Sequence, residues 1–332
     1  MKKLFAVLLT MVMLVSATSA LAITVGFSQI GQESDWRTAN TDDMIAAIEA
    51  EEGWTLVYDD AQQKQENQVR ALRNFISQGV DYILFTGVVT TGWDEVLKEV
   101  NEAEIPLILI DRMPDCMDAI EYAGAFGGDF VEEGRRMAYW TVNYLESIGR
   151  GDEEVNVVIL EGTTGAAAAT DRTNGINEVL ANYPNLKVVG SQTGNFTRAE
   201  GLAVMESFLK SLDKIDVVLA ENDDMGLGAI DAIKAAGKVP GKDIIIVGCD
   251  AVKNAFDAIV AGEMNATIEC TPLYSSAVIP LIKALEDGSA TLSRDVLHPD
   301  EFAFCIDGGI PYTAAGDVLS IKAEDVIAER KY

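Results

Sequence analysis

Residues 105–112 read Ile105-Pro106-Leu107-Ile108-Leu109-Ile110-Asp111-Arg112. A run of branched apolar residues predicts a strand buried on both faces, as in the interior of a parallel sheet. The run ends in an unlike pair, an acid beside a guanidinium. In open α/β sheets, ligands bind beyond the carboxyl ends of the strands. Asp111 offers acceptors and Arg112 a rigid fork of donors, a combination suited to groups that both donate and accept, such as sugar hydroxyls. The same two residues also fit a local ion pair that caps the strand end.

Outward from this strand the pattern repeats. Toward the N-terminus, strands are expected at Ile23 to Ser28, Thr55 to Tyr58 and Asp81 to Phe85. Helices are expected at Trp36 to Ala50, Gln62 to Gln78 and Thr91 to Glu102, with Gly79 in the left-handed cap position. Toward the C-terminus, a strand at Ala119 to Phe126 leads through Gly127-Gly128 into a helix, and the alternation restarts until Ala266 to Glu269. The fold class is therefore α/β, two tandem doubly wound parallel-sheet domains. After Thr271 one helix, Leu273 to Leu285, precedes short irregular segments that return to both domains as a multi-stranded hinge. The expected lobes are 23–126 with about 272–305, and 127–271 with about 306–332.

Lys2 and Lys3 before the apolar run Leu4 to Val15, with Ala20-Leu21-Ala22 at the cleavage spacing, predict a signal peptide cut after Ala22 and a periplasmic product. Without Lys2 and Lys3, 23 of the 25 basic residues face 53 acidic ones, a net charge of −30. That balance repels nucleic acid and anionic lipid. No later apolar run nears the ~20 residues that span a bilayer, so no membrane insertion is expected. Cys116, Cys249, Cys270 and Cys305 lack metal-ligand spacing, and both free thiols and disulfides stay open. Neither a metal nor a cofactor is expected, and the expected state is a monomer.

The strand ends carry the functional signal. Ser34, Asp35, Trp36 and Arg37 follow the first strand, Thr86 the third, and Asp111-Arg112 the fourth. In the second half, strand ends lead to Asp171-Arg172, Glu221-Asn222-Asp223-Asp224 and Cys249-Asp250. Each residue has a plainer role: Asp35, Asp171 and Asp224 fit helix starts, and Trp36 fits a core position. For Asp224 the helix start is preferred. Together, acids, amides and arginines at one edge of both domains describe a polar cleft, with Trp36 offering an aromatic face.

On Val25-Gly26-Phe27-Ser28-Gln29, Gln62 to Gln68, Thr91-Gly92-Trp93, Ile110-Asp111-Arg112, Asp171-Arg172, Glu221 to Met225 and Gly248-Cys249-Asp250, the chain resembles the periplasmic sugar-binding proteins of ABC transport. The resemblance lies in the ribose/galactose-binding group, related to lac-repressor-type cores, and Glu33 to Arg37 with Gln62 to Gln68 is most like its galactofuranose-binding members. It implies a type I periplasmic binding protein fold, a monosaccharide ligand and a membrane ABC permease as partner. The implied ligand residues are Ser34, Asp35, Trp36, Arg37, Asp111 and Arg112 from one domain and Arg172, Asn222 and Asp250 from the other. Asp35, Thr86 and Cys270 stand where ribose binders have an aromatic residue, Asn and a hinge Gln, which argues against ribose. An enzyme is disfavoured, because the only histidine, His298, lies in the irregular tail and no nucleophile elbow or phosphate loop is present. With no histidine among the site residues, binding is expected to be insensitive to pH near neutrality.

Overall fold

The structure is a computed structural model that describes residues 22–332. The signal peptide expected over residues 1–22 lies outside the described residues except for Ala22. The first sheet contains β1 (Ile23–Gln29), β2 (Trp54–Asp60), β3 (Tyr82–Phe85), β4 (Leu107–Ile110) and β5 (Gly124–Phe126). Its helices are α1 (Asp35–Glu49), α2 (Gln65–Gln78) and α3 (Asp94–Glu102). The second unit runs α4 (Phe130–Ser147), β6 (Val155–Glu161), α5 (Ala167–Leu180), β7 (Leu186–Thr193), α6 (Arg198–Ser211), β8 (Val217–Ala220), α7 (Asp223–Ala235), β9 (Ile245–Asp250), α8 (Lys253–Val260) and β10 (Ala266–Glu269). The tail adds α9 (Ser275–Glu286), β11 (Val296–Leu297), β12 (Ala303–Cys305), β13 (Ile321–Lys322) and α10 (Ala323–Val326).

Both sheets follow one plan. The first has strand order β11-β5-β4-β3-β1-β2 and the second β13-β12-β10-β9-β8-β6-β7. Each doubly wound set is parallel and turns back beside its first strand, which places a topological switch point at the carboxyl ends. The sequence accounts for the ends of the key strand. β4 begins at Leu107, two residues later than expected, because Pro106 has no N–H to give; its carbonyl still accepts from the Ile83 N–H at 3.0 Å. Ile108, Leu109 and Ile110 are fully buried, as a central strand requires.

Two expectations change. The strand expected from Ala119 shortens to Gly124–Phe126, which pairs with Ile108 to Ile110 of β4, because a tight turn at Met117–Ala119 takes up its first residues. The return segment also divides earlier than 305. β11 joins the first sheet beside β5, whereas β12 pairs antiparallel with β10 in the second. The backbone therefore passes between the sheets three times, at 127–129, 270–274 and 298–302. The four cysteines are free and buried.

Candidate functional site

The first-lobe wall starts at α1. Ser34 caps the helix, its hydroxyl accepting from the Arg37 N–H at 3.1 Å, so Trp36 and Arg37 fall in the first turn and both are buried. Arg37 reaches the end of β4, donating from Nη2 to Asp111 Oδ2 at 2.6 Å, from Nε to Glu33 Oε1 at 3.1 Å and from Nη1 to Gln29 Oε1 at 3.3 Å. Burial works against this cation, but the Asp111 and Glu33 charges outweigh it and raise its pKa. The partner of Asp111 is thus Arg37 rather than its sequence neighbour. Arg112 lies 3.6 Å from Glu33 and 3.8 Å from Asp111, and its Nε has no hydrogen-bond partner among the described residues. Burial, then the Arg37 charge, pull the Arg112 pKa down to about 10. Its guanidinium lies 4.8 Å over the Phe196 ring of the second lobe.

The second-lobe wall is built on α5 and the ends of β8 and β9. Arg172 donates from Nε to Glu133 Oε2 at 2.6 Å, from Nη1 to the Glu221 carbonyl and from Nη2 to Asp250 Oδ1 at 3.5 Å. Asn222 caps α7, accepting from the Met225 N–H at 3.0 Å, and donates to the Phe196 carbonyl at 3.0 Å. Burial pushes the Asp250 carboxyl well up, against the pull of Arg172. Asp111, Asp250 and Phe196 have φ of 61°, 117° and 61°. Backbone in that region costs about 1–3 kcal/mol per residue and concentrates at functional sites. Phe196 also requires Gly162, since a Cβ there would stand 1.9 Å from its ring.

The two walls enclose a space of about 280 Å³, part of it open to solvent. Of the nine residues expected from sequence, Ser34, Trp36, Arg37, Asp111, Arg112, Arg172, Asn222 and Asp250 line it, and Asp35 does not. Asp35 sits on the rim, where its N–H donates to Asp224 Oδ2 at 2.8 Å and its carboxylate accepts from Asn254 Nδ2 at 2.5 Å. Asp224 therefore reaches across the cleft instead of serving only its helix start. On the other rim the Thr90 N–H and hydroxyl both donate to the Gly165 carbonyl at 2.9 Å. Trp36 combines both roles weighed for it: it is buried, its Nε1 donates to the Cys270 carbonyl at 2.6 Å, and its ring borders the cavity under Arg37.

Glu33, Phe196, Ala168 and Cys270 complete the lining. Glu33 stands beside the expected residues. Phe196 was legible only as the residue beyond the carboxyl end of β7, a strand end that the polar pattern does not mark. The site's chemistry is fixed hydrogen bonding: Asp111 is tied to Arg37 and Asp250 to Arg172, which suits binding hydroxyls. The expected insensitivity to pH changes here, because buried acids titrate near neutrality. Burial, then the Asp35 charge, raises Asp224 to about 7, and burial raises Glu221 to about 8.

A family model described as a periplasmic binding protein domain matches residues 25–285. The galactofuranose-binding protein YtfQ of Escherichia coli K12 is 45% identical over 295 residues, 86% of this chain and 91% of that protein. A Mycobacterium smegmatis protein solved with β-D-fucofuranose is 48% identical with a TM-score of 0.81, covering 86% of this chain and 91% of the other. The binding component of the arabinose ABC transporter of Shewanella sp. ANA-3, solved with α- and β-L-arabinofuranose, is 43% identical with a TM-score of 0.77, covering 84% and 91%.

Proposed function

Because this chain belongs to the periplasmic binding protein family, we propose that it captures a monosaccharide in its five-membered ring form and delivers it to a membrane ABC permease. The observation that carries this reading is the facing pair of strand-end acids, Asp111 and Asp250, each held by arginines that line the same cavity. The Escherichia coli and Shewanella relatives are binding proteins, and this chain is not an enzyme.

Galactofuranose, D-fucofuranose and L-arabinofuranose, the sugars named with the three relatives, share one ring configuration and differ in the tail on the ring. The ligand class proposed is therefore a furanose of that configuration. Asp111, Arg112, Arg37 and Ser34 would hold hydroxyls from the first lobe, Arg172, Asn222 and Asp250 from the second, with Trp36 against the ring and Asp35 closing the rim. The protein would act as a monomer in the periplasm, released there by cleavage after Ala22.

Isothermal titration with methyl β-D-galactofuranoside and methyl β-D-galactopyranoside, ring-locked forms of one sugar, tests the proposal. Binding of the furanoside alone is expected. Binding of the pyranoside alone, or of neither, overturns it. N-terminal sequencing of the protein recovered from a periplasmic extract should begin at Ile23.

A further inference from the structure

Behind the cleft, two acids meet where the three chain crossings converge. Glu133, in the first turn of α4, is fully buried, and Glu301, on the crossing that leads to β12, is also buried. Each has one oxygen committed to an arginine: Glu133 Oε2 to Arg172 Nε at 2.6 Å, and Glu301 Oε2 to Arg136 Nη1 at 3.4 Å. The other two oxygens, Glu133 Oε1 and Glu301 Oε1, are buried without a hydrogen-bond donor among the described residues. They converge on one spot. A Cβ added to Gly128 would lie 2.3 Å from the first and 3.2 Å from the second.

Two carboxylates that face each other away from water cannot both stay ionised. A single proton between them supplies the missing donor and satisfies both orphaned oxygens. We infer that Glu133 and Glu301 share one proton at the base of the hinge, and that this proton holds Glu133 in the orientation that aims Arg172 into the cleft. Glu133 and Glu301 are thus positioning residues, and their effect on sugar rests on the proposed role of Arg172.

The surroundings favour the neutral acid. The charged and titratable groups facing the pair are Arg172 from α5, Cys249 and Asp250 from β9, Cys270 and Tyr274 from the second crossing, and Arg136 from α4. Burial, then the Glu133 charge, push the Glu301 acid well above the usual carboxylate range, against Arg136 and Arg172. Glu133, Glu301 and Cys270 also bring one potential metal-ligand atom each within 4.8 Å of one another. A divalent cation there would share its two carboxylates with two guanidinium groups, which makes the proton the better occupant.

The test uses the full mature chain, Glu301→Gln, which keeps a donor without titrating, and Glu301→Ala, which removes it. Without sugar, thermal midpoints are compared between pH 6 and pH 9. The folded parent holds a proton that its unfolded chain releases, so its midpoint should fall over that range by roughly 5 °C more than that of E301Q. With methyl β-D-galactofuranoside at pH 6, E301Q should bind as the parent does, and E301A, which leaves Glu133 without its donor, should bind about tenfold more weakly. Parallel midpoints for parent and E301Q overturn the shared proton, as does stoichiometric zinc or calcium in the purified parent. An E301A Kd equal to that of E301Q overturns the link to Arg172. Failure of all sugar binding overturns the proposed function instead, and the sugar-free midpoints still decide the proton.

Discussion

At the scale of single residues, Arg112 has the least compensated charge in the cleft. Its Nε is unpartnered among the described residues and its nearest carboxylates stand at 3.6 and 3.8 Å, so it retains donor capacity for a ligand oxygen. Arg112→Lys replaces a planar fork with a point charge and should weaken sugar binding about a hundredfold, read by titration calorimetry. Asp111→Ala leaves Arg37 and Arg112 together with one shared acid, Glu33, and should abolish binding while the circular dichroism spectrum is retained. Normal binding by the D111A protein would reduce this acid to a strand-end cap. Phe196→Leu removes the ring under Arg112, a cation–π contact worth about 0.5–2 kcal/mol, so Kd should rise by roughly two- to thirtyfold. The sequence showed Asp111 and Arg112 side by side and suggested that they pair. The short bond from Asp111 instead goes to Arg37, 74 positions away, because a strand end and a helix start meet at the switch point.

At the scale of elements, the position of Arg172 depends on how closely α4 and α5 pack. A Cβ on Gly134 of α4 would stand 2.1 Å from the Arg172 carbonyl, and one on Gly175 of α5 would stand 2.0 Å from the Val131 carbonyl. Backbone therefore touches backbone at both points. Gly134→Ala should force the helices apart, destabilise the fold by about 1–3 kcal/mol and weaken sugar binding by displacing Arg172. Urea unfolding and calorimetry on the same preparation check both effects; an unchanged urea midpoint would show that the contact can relax. Most elements were legible because their patterns are local: buried strands as apolar runs, and α2 ending at Gly79 with φ of 65°. β11, β12 and β13 were not, since two or three residues carry no periodicity and become strands only against existing sheet edges.

At the scale of the whole molecule, pH acts through acids that folding buries. Glu221 and Asp224 have folded pKa values of about 8 and about 7, above their ordinary values of 4.5 and 3.8. The folded chain therefore holds protons that the unfolded chain releases. Their contribution is fully present below about pH 4 and is lost as pH rises toward 8. The thermal midpoint should decline between pH 5 and pH 8; a midpoint that rises across this range would contradict the burial of both groups. The rim contacts Asp35–Asp224, Asn254–Asp35 and Thr90–Gly165 hold the lobes shut, so Asn254→Ala should speed sugar release severalfold in stopped-flow measurements. The sequence by itself determined the doubly wound α/β class, the tandem repeat and which strand ends carry polar chemistry, because hydrophobic period and strand-end composition are local properties. Only the tertiary structure decided that Asp111 answers to Arg37, that Asp35 and Asp224 clasp the rim, that Phe196 backs Arg112, and that Glu133 meets Glu301 behind the cleft. Those pairings join residues from separate strands and both lobes, and burial gives them their charge states, which no single stretch of chain encodes.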